Sequence, residues 1–118
     1  MAIERDLQPV FTALKALMQP LQDGLVLKSD DPERYYLDSH RRREDGYVFG
    51  FGGVEIKKNY VSYHLLPVYE NPALLEGISE NLRKRMQGKS CFNFKTLEPD
   101  LTIELRDLTA RAFAQGSR

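Results

Sequence analysis

Apolar residues Leu7, Val10, Phe11, Leu14, Leu17, Met18 and Leu21 recur at steps of three and four, leaving Asp6, Gln8, Lys15 and Gln19 on the opposite side. This period lines one face of a helix. Pro9 fits only the early part of that helix because it lacks an N–H donor, so the helix is expected to begin near Asp6 or a turn earlier; Pro20 and Gly24 mark its end. From Leu25 to Leu66 the period drops to two. β-Prone runs lie at Leu25 to Lys28, Arg34 to Asp38, Tyr47 to Ile56 and Tyr60 to Leu66. The connections between them are too short for parallel crossovers, which predicts an antiparallel meander of four strands.

On the third run Tyr47, Phe49 and Phe51 share one face while Val48, Gly50 and Gly52 share the other. A face so poor in side-chain volume invites a bulge, a twisted strand or a closely packed helix ahead of a ligand. On the fourth run Tyr60, Ser62 and His64 alternate with Val61, Tyr63 and Leu65, which puts three polar-tipped side chains on one face.

Asn71 followed by Pro72 reads as an N-cap with proline at the first helical position, and Leu75, Ile78, Leu82 and Met86 form an apolar stripe ending at Gly88. The pattern predicts a second helix across this stretch, supported by a Glu80–Lys84 pair and closed by a left-handed glycine. Cys91 to Lys95 alternates as a short fifth strand. Asp100 then offers an N-cap to a last helix with an inward stripe of Leu101, Leu105, Leu108 and Ala112, and residues 115–118 are expected to fray. The order helix, strands, helix, strand, helix predicts a two-layer α+β domain: an antiparallel sheet of about five strands with N-terminal, middle and C-terminal helices packed on it. At 118 residues the chain reads as one domain over 1–118, long enough to close a core of its own.

Charge narrows the function classes. Seventeen basic residues balance seventeen acidic ones, which sets aside a protein that binds nucleic acid through bulk phosphate neutralisation. Cys91 is the only cysteine, so an intrachain disulfide and a cysteine-rich zinc site are excluded and a reducing, cytoplasmic setting is expected. No apolar run approaches the roughly 18 residues of a membrane-spanning helix, and residues 1–21 lack the unbroken stretch of a signal peptide.

The densest polar run is Arg83 to Lys95. Gly88, Lys89 and Ser90 imitate the end of a phosphate-binding P-loop, but Arg83 stands where its first glycine belongs, and the run follows a helix instead of opening one. What remains is a small anion-binding patch of Arg85, Lys89, Ser90 and Lys95, set against a simpler role for these cations in complementing a helix C-terminus. His40, His64 and Cys91 lack the spacing of a known zinc motif. The acids Asp30, Asp31, Glu33, Asp38, Glu44 and Asp45 read as solvated turn residues, and Cys91 as a buried structural cysteine. No reaction is indicated.

The segment Lys57, Lys58, Asn59, Tyr60, Val61, Ser62, Tyr63, His64, then Gly88, Lys89, Ser90, Cys91, Phe92, Asn93, Phe94 and the closing Leu101–Leu108 helix resembles the YdhG-like domain family of unknown function. The resemblance covers about the C-terminal half and implies a compact α+β domain. One relative in that broad group is described as a frataxin-like iron chaperone, which makes iron a cofactor to consider, held loosely by carboxylates and His64. The expectation from the residues is a non-catalytic binding module for an anionic small molecule or a protein partner. Its site would comprise Tyr60, Ser62 and His64 with Arg85, Lys89, Ser90 and Lys95; an iron-binding chaperone is the alternative.

Overall fold

A computed structural model of the chain describes residues 7–114. The protein is an α+β fold: an antiparallel five-stranded sheet in the order β1-β2-β3-β4-β5, with helices at the N-terminus, in the middle and at the C-terminus. The strands are β1 (Val26–Asp31), β2 (Arg34–Arg42), β3 (Val48–Ile56), β4 (Val61–Leu65) and β5 (Cys91–Phe94). The expected meander is therefore present, with the fifth strand added at the β4 edge. β1 runs further than the alternation suggested, because Asp31 takes the N–H groups of Glu33 and Arg34 on one carboxylate oxygen and folds the connection into a tight turn; β2 runs on at its other end to Arg42, which pairs with Val48 of β3.

Helix α1 spans Gln8–Met18, with Pro9 in its first turn as its missing donor requires. The positions before Leu7 that the sequence assigned to this helix, and the tail 115–118, lie outside the described residues. A 3-10 turn over Gln19–Gly24 follows without a break. Helix α4 (Pro99–Ala112) carries the expected stripe, with Leu101, Leu105, Leu108 and Ala112 all buried. Glu98 occupies the N-cap position, two residues earlier than the expected Asp100, because Pro99 sits at the first helical position.

The expected second helix from Asn71 to Gly88 does not form as one element. In its place stand a 3-10 turn (Pro72–Leu75) and α3 (Glu80–Arg83), preceded by a single turn α2 (Pro67–Glu70). The cause is Gly77, whose φ of 88° is left-handed and ends helical propagation; Ser79 then restarts it by accepting the Leu82 N–H on its hydroxyl. Asn71 makes no side-chain cap, and Glu80 meets Lys84 through the backbone, Lys84 N–H to Glu80 C=O. Gly88 is left-handed as expected, but it turns the chain toward β5 and does not close a helix.

The helices cover one face of the sheet. Phe11, Leu14 and Met18 of α1 and Leu105 and Leu108 of α4 belong to one buried cluster with Tyr35, Leu37, Phe51, Val54, Val61, Tyr63, Leu65, Phe92 and Phe94 of the strands. Two buried phenols have partners within this layer: Tyr63 Oη lies 2.6 Å from Thr109 Oγ1, and Tyr35 donates to Gln22 Oε1 at 2.6 Å. Burial of these hydroxyls without partners would cost several times a typical net hydrogen bond, so the pairing is what permits tyrosine here.

The glycines of β3 explain themselves against the protein's own side chains. A register shift between Leu37 and Asp38 changes the alternation, so Gly52 looks into the core and Gly53 looks out. A Cβ at Gly52 would meet the His64 carbonyl and, at 2.8 Å, Met18 Cε; one at Gly53 would run into the Tyr36 ring. The bulge and the closely packed helix expected of this glycine-rich run are both there: Met18 of α1 packs against Gly52 and Leu66 against Gly50, while Tyr36 covers Gly53 on the other face. Among the described residues no helix is long and apolar enough to cross a membrane.

Candidate functional site

The sheet face opposite the helices carries two cross-strand rows. Register places Arg34, Glu55, Ser62 and Asn93 side by side across β2 to β5, and Tyr36, Gly53, His64 and Cys91 beside them. Adjacent positions on neighbouring strands bring side chains into direct reach. Ser62 Oγ accordingly donates to Asn93 Oδ1 at 2.9 Å, and His64 Nδ1 lies 2.8 Å from Cys91 Sγ. The far side of the imidazole looks toward an acid, with Nε2 3.9 Å from Glu55 Oε1. Glu55 is itself held between two cations, Arg34 at 3.3 Å and Lys57 at 3.2 Å. Tyr36 closes one side, its ring centroid 6.2 Å from that of His64 and the Arg34 guanidinium 4.8 Å from its own.

The electrostatics favour neutral groups at the centre of these rows. Burial lowers the His64 pKa against the opposing pull of Glu55, with Lys57 and Arg34 adding to the downward push. Burial likewise raises the Cys91 thiol, opposed by a hydrogen bond from Ser90 and by Lys57, and raises the Tyr36 phenol. A protonated thiol beside a neutral imidazole donates to Nδ1, which leaves the ring's own proton on Nε2, the side facing Glu55. The expectation of a buried structural Cys91 is corrected here: the thiol is half-buried and paired with a base that sequence did not place beside it.

A second feature lies where the chain turns between β4 and β5. Pro67 opens α2, Pro72 opens the 3-10 turn and left-handed Gly88 swings the chain back, so the three turns enclose a groove of about 540 Å³. Val68, Tyr69, Pro72, Leu75, Met86, Gly88 and Lys89 line it. Tyr69 is 61% exposed, and the Lys89 ammonium stands 5.8 Å from its ring centroid. Among the described residues no carboxylate pairs with Lys89.

The site residues expected from sequence are thus dispersed. Ser62 and His64 share the open sheet face, whereas Tyr60 precedes β4 in a turn, its carbonyl accepting from Lys57 N–H. Lys89 lines the groove, and Ser90, whose carbonyl accepts from Leu65 N–H, joins that groove to the sheet. Arg85 runs along the outer edge of β5, where its carbonyl accepts from Asn93 N–H, and Lys95 is exposed beyond the end of that strand. Arg34, Tyr36, Glu55, Lys57 and Cys91 were not anticipated. The polar parity of β2 and β5 was a usable signal for them, but it acquires meaning only once the strands are paired.

The acidic residues behave as solvated turn and surface groups: Asp45 takes Arg43 and the Tyr47 N–H, and Asp30 takes Lys15. Among the described residues no group of three or more His, Cys, Asp or Glu side chains converges as a metal site. Comparison with known proteins finds no matching family model, no similar curated protein and no similar solved structure.

Proposed function

We propose that this chain is a non-catalytic binding module for a small organic anion with an apolar body, held in the groove between α2, the 3-10 turn and the Gly88 turn. The observation that carries the reading is Lys89, a cation without a carboxylate partner among the described residues, at an apolar groove beside an exposed tyrosine. Val68, Pro72, Leu75 and Met86 supply desolvated contact for the body of a ligand, Tyr69 supplies a flat aromatic wall, and Lys89 supplies one point charge for an acid head. The volume suits a small metabolite, since ligand pockets commonly run from about 300 to 1,000 Å³. A cytoplasmic setting accords with a half-exposed free thiol elsewhere on the surface.

The aromatic sulfonate 1-anilinonaphthalene-8-sulfonate, which combines both halves of this ligand chemistry and reports binding by fluorescence, is the probe. It is expected to bind the folded protein saturably. Lys89→Glu weakens that binding by about tenfold, the equivalent of roughly 1.4 kcal/mol, and Tyr69→Ala weakens it too, while Arg34→Ala on the open sheet face leaves it unchanged. Affinities in Lys89→Glu and Tyr69→Ala equal to that of the parent protein, with all variants folded by near-ultraviolet circular dichroism, would overturn the assignment.

A further inference from the structure

The row Tyr36, Gly53, His64, Cys91 forms a feature independent of the groove: a nucleophile, a base in contact with it, and an acid on the far side of that base. Cys91 Sγ and His64 Nδ1 are 2.8 Å apart and Glu55 Oε1 is 3.9 Å from Nε2. A thiol reacts as its thiolate, and a neutral imidazole within hydrogen-bond reach removes the proton as the new bond forms. The pair holds one mobile proton. Around it the charge is biased toward stabilising an anion, because Arg34 and Lys57 both lean on the single carboxylate of Glu55. Tyr36, its phenol kept protonated by burial, packs its ring beside the imidazole.

We infer that Cys91, with His64 as its base and Glu55 as a positioning residue, is a site of covalent capture for α,β-unsaturated carbonyl compounds. Sulfur is a soft nucleophile suited to a conjugated carbon, and the chemistry balances without a co-reactant. The Cys91 S–H bond breaks as its proton passes to His64 Nδ1, and the sulfur electron pair forms a C–S bond at the β-carbon. The C=C π pair moves to the α-carbon and carbonyl oxygen as an enolate, beside Arg34 and Lys57. His64 then returns the proton to the α-carbon, leaving a saturated thioether and a neutral imidazole.

N-Ethylmaleimide, itself an α,β-unsaturated imide, tests this on the full chain, with the second-order rate followed by mass spectrometry between pH 5.5 and 8. The groups facing the pair are Arg34, Tyr36 and Asp38 from β2, Glu55 and Lys57 from β3 and its end, Ser62 from β4, and Ser90 and Asn93 around β5. Of these, burial and the two cations hold the imidazole below its ordinary range, so the parent rate rises only at the acid end and then levels. His64→Gln slows the reaction at pH 7 by about tenfold or more and restores a rate that climbs tenfold per pH unit. Glu55→Gln moves the acid limb to lower pH, because Glu55 favours the charged imidazole, an effect that loss of packing alone would not produce. Lys28→Ala, on the exposed outer strand β1, leaves the rate untouched. A parent profile climbing tenfold per pH unit through pH 8, or a His64→Gln rate equal to the parent's, would sink the inference; the parent profile decides it even if a variant does not fold.

Discussion

Gly53→Ala is expected to cost about 3 kcal/mol in a urea titration at pH 7, the upper end of what an inserted methyl costs in a packed layer. The methyl would overlap the Tyr36 ring and stand 2.6 Å from the Tyr35 carbonyl oxygen. The first obstacle is a side chain near its root and the second is backbone already in the sheet, so neither yields by a small rotation. A double substitution separates them. Gly53→Ala in a Tyr36→Ala background removes the ring and leaves the carbonyl, and its penalty falls to a part of that seen alone, with a coupling energy of 0.5 kcal/mol or more, roughly the floor for residues in contact. A loss below about 0.5 kcal/mol for Gly53→Ala by itself, the range of ordinary surface changes, would mean that Tyr36 does not lie over this glycine. The substitution also bears on chemistry. Pushing Tyr36 aside removes the aromatic wall beside His64, so the maleimide rate of Gly53→Ala is expected to change although neither Cys91 nor His64 has been touched.

The antiparallel α+β architecture was legible because alternation and short connections are local properties. Val61, Tyr63 and Leu65 are buried while Ser62 and His64 look out, as the parity of that run requires. Helix α4 was equally legible, all four positions of its expected stripe being buried, with Thr109 joining them as the partner of Tyr63. The stretch from Asn71 to Gly88 was not. Leu75, Ile78, Leu82 and Met86 do all pack on or into the core, but spacing by three or four residues reports which side of the chain is buried and not which hydrogen bonds the backbone makes. A 3-10 turn, a left-handed glycine and a single helical turn present the same side as a continuous helix would. The Asn71–Pro72 signal did mark the start of helical turn structure, and Gly77 cut it short.

The candidate sites divide along the same line. His64 and Cys91 each had a legible facing within their own strands, but 27 residues separate them and only the β4–β5 register makes them neighbours. Register depends on where Gly88 turns the chain and on Leu65 N–H reaching the Ser90 carbonyl, contacts with no periodic trace. The groove is further still from sequence reasoning, since its walls are turns whose directions are set by Pro67, Pro72 and Gly88. Lys89 stood out as a basic residue in a polar run; apart from Met86, its apolar surroundings come from a segment that ends fourteen residues earlier, at Leu75.

Above pH 10 the protein is expected to lose stability steeply, and Tyr63 is the principal cause. Its ring is fully buried and its hydroxyl pairs with Thr109, so burial holds the phenol far above its ordinary range, with the hydrogen bond opposing only in part. Tyr35, also buried and with Asp30 nearby, is pushed up to about 12. For an acid that is neutral when protonated, a raised folded pKa means that the unfolded chain releases its proton first. The stability is therefore fully present below the unfolded value near 10 and drains away as pH rises toward the folded value, at about 1.4 kcal/mol per pH unit for each phenol. Urea midpoints should stay level from pH 7 to 9 and fall beyond 10, with the Tyr35 contribution ending near pH 12. Tyr63→Phe distinguishes this from general alkaline weakening. At pH 7 the variant is less stable by about 1 kcal/mol, the net worth of a typical hydrogen bond, but it lacks the ionising group, so the two stability curves cross near about pH 11 and the variant is the more stable above it. Parallel curves for the parent and Tyr63→Phe from pH 7 to 12 would show that the alkaline loss arises elsewhere.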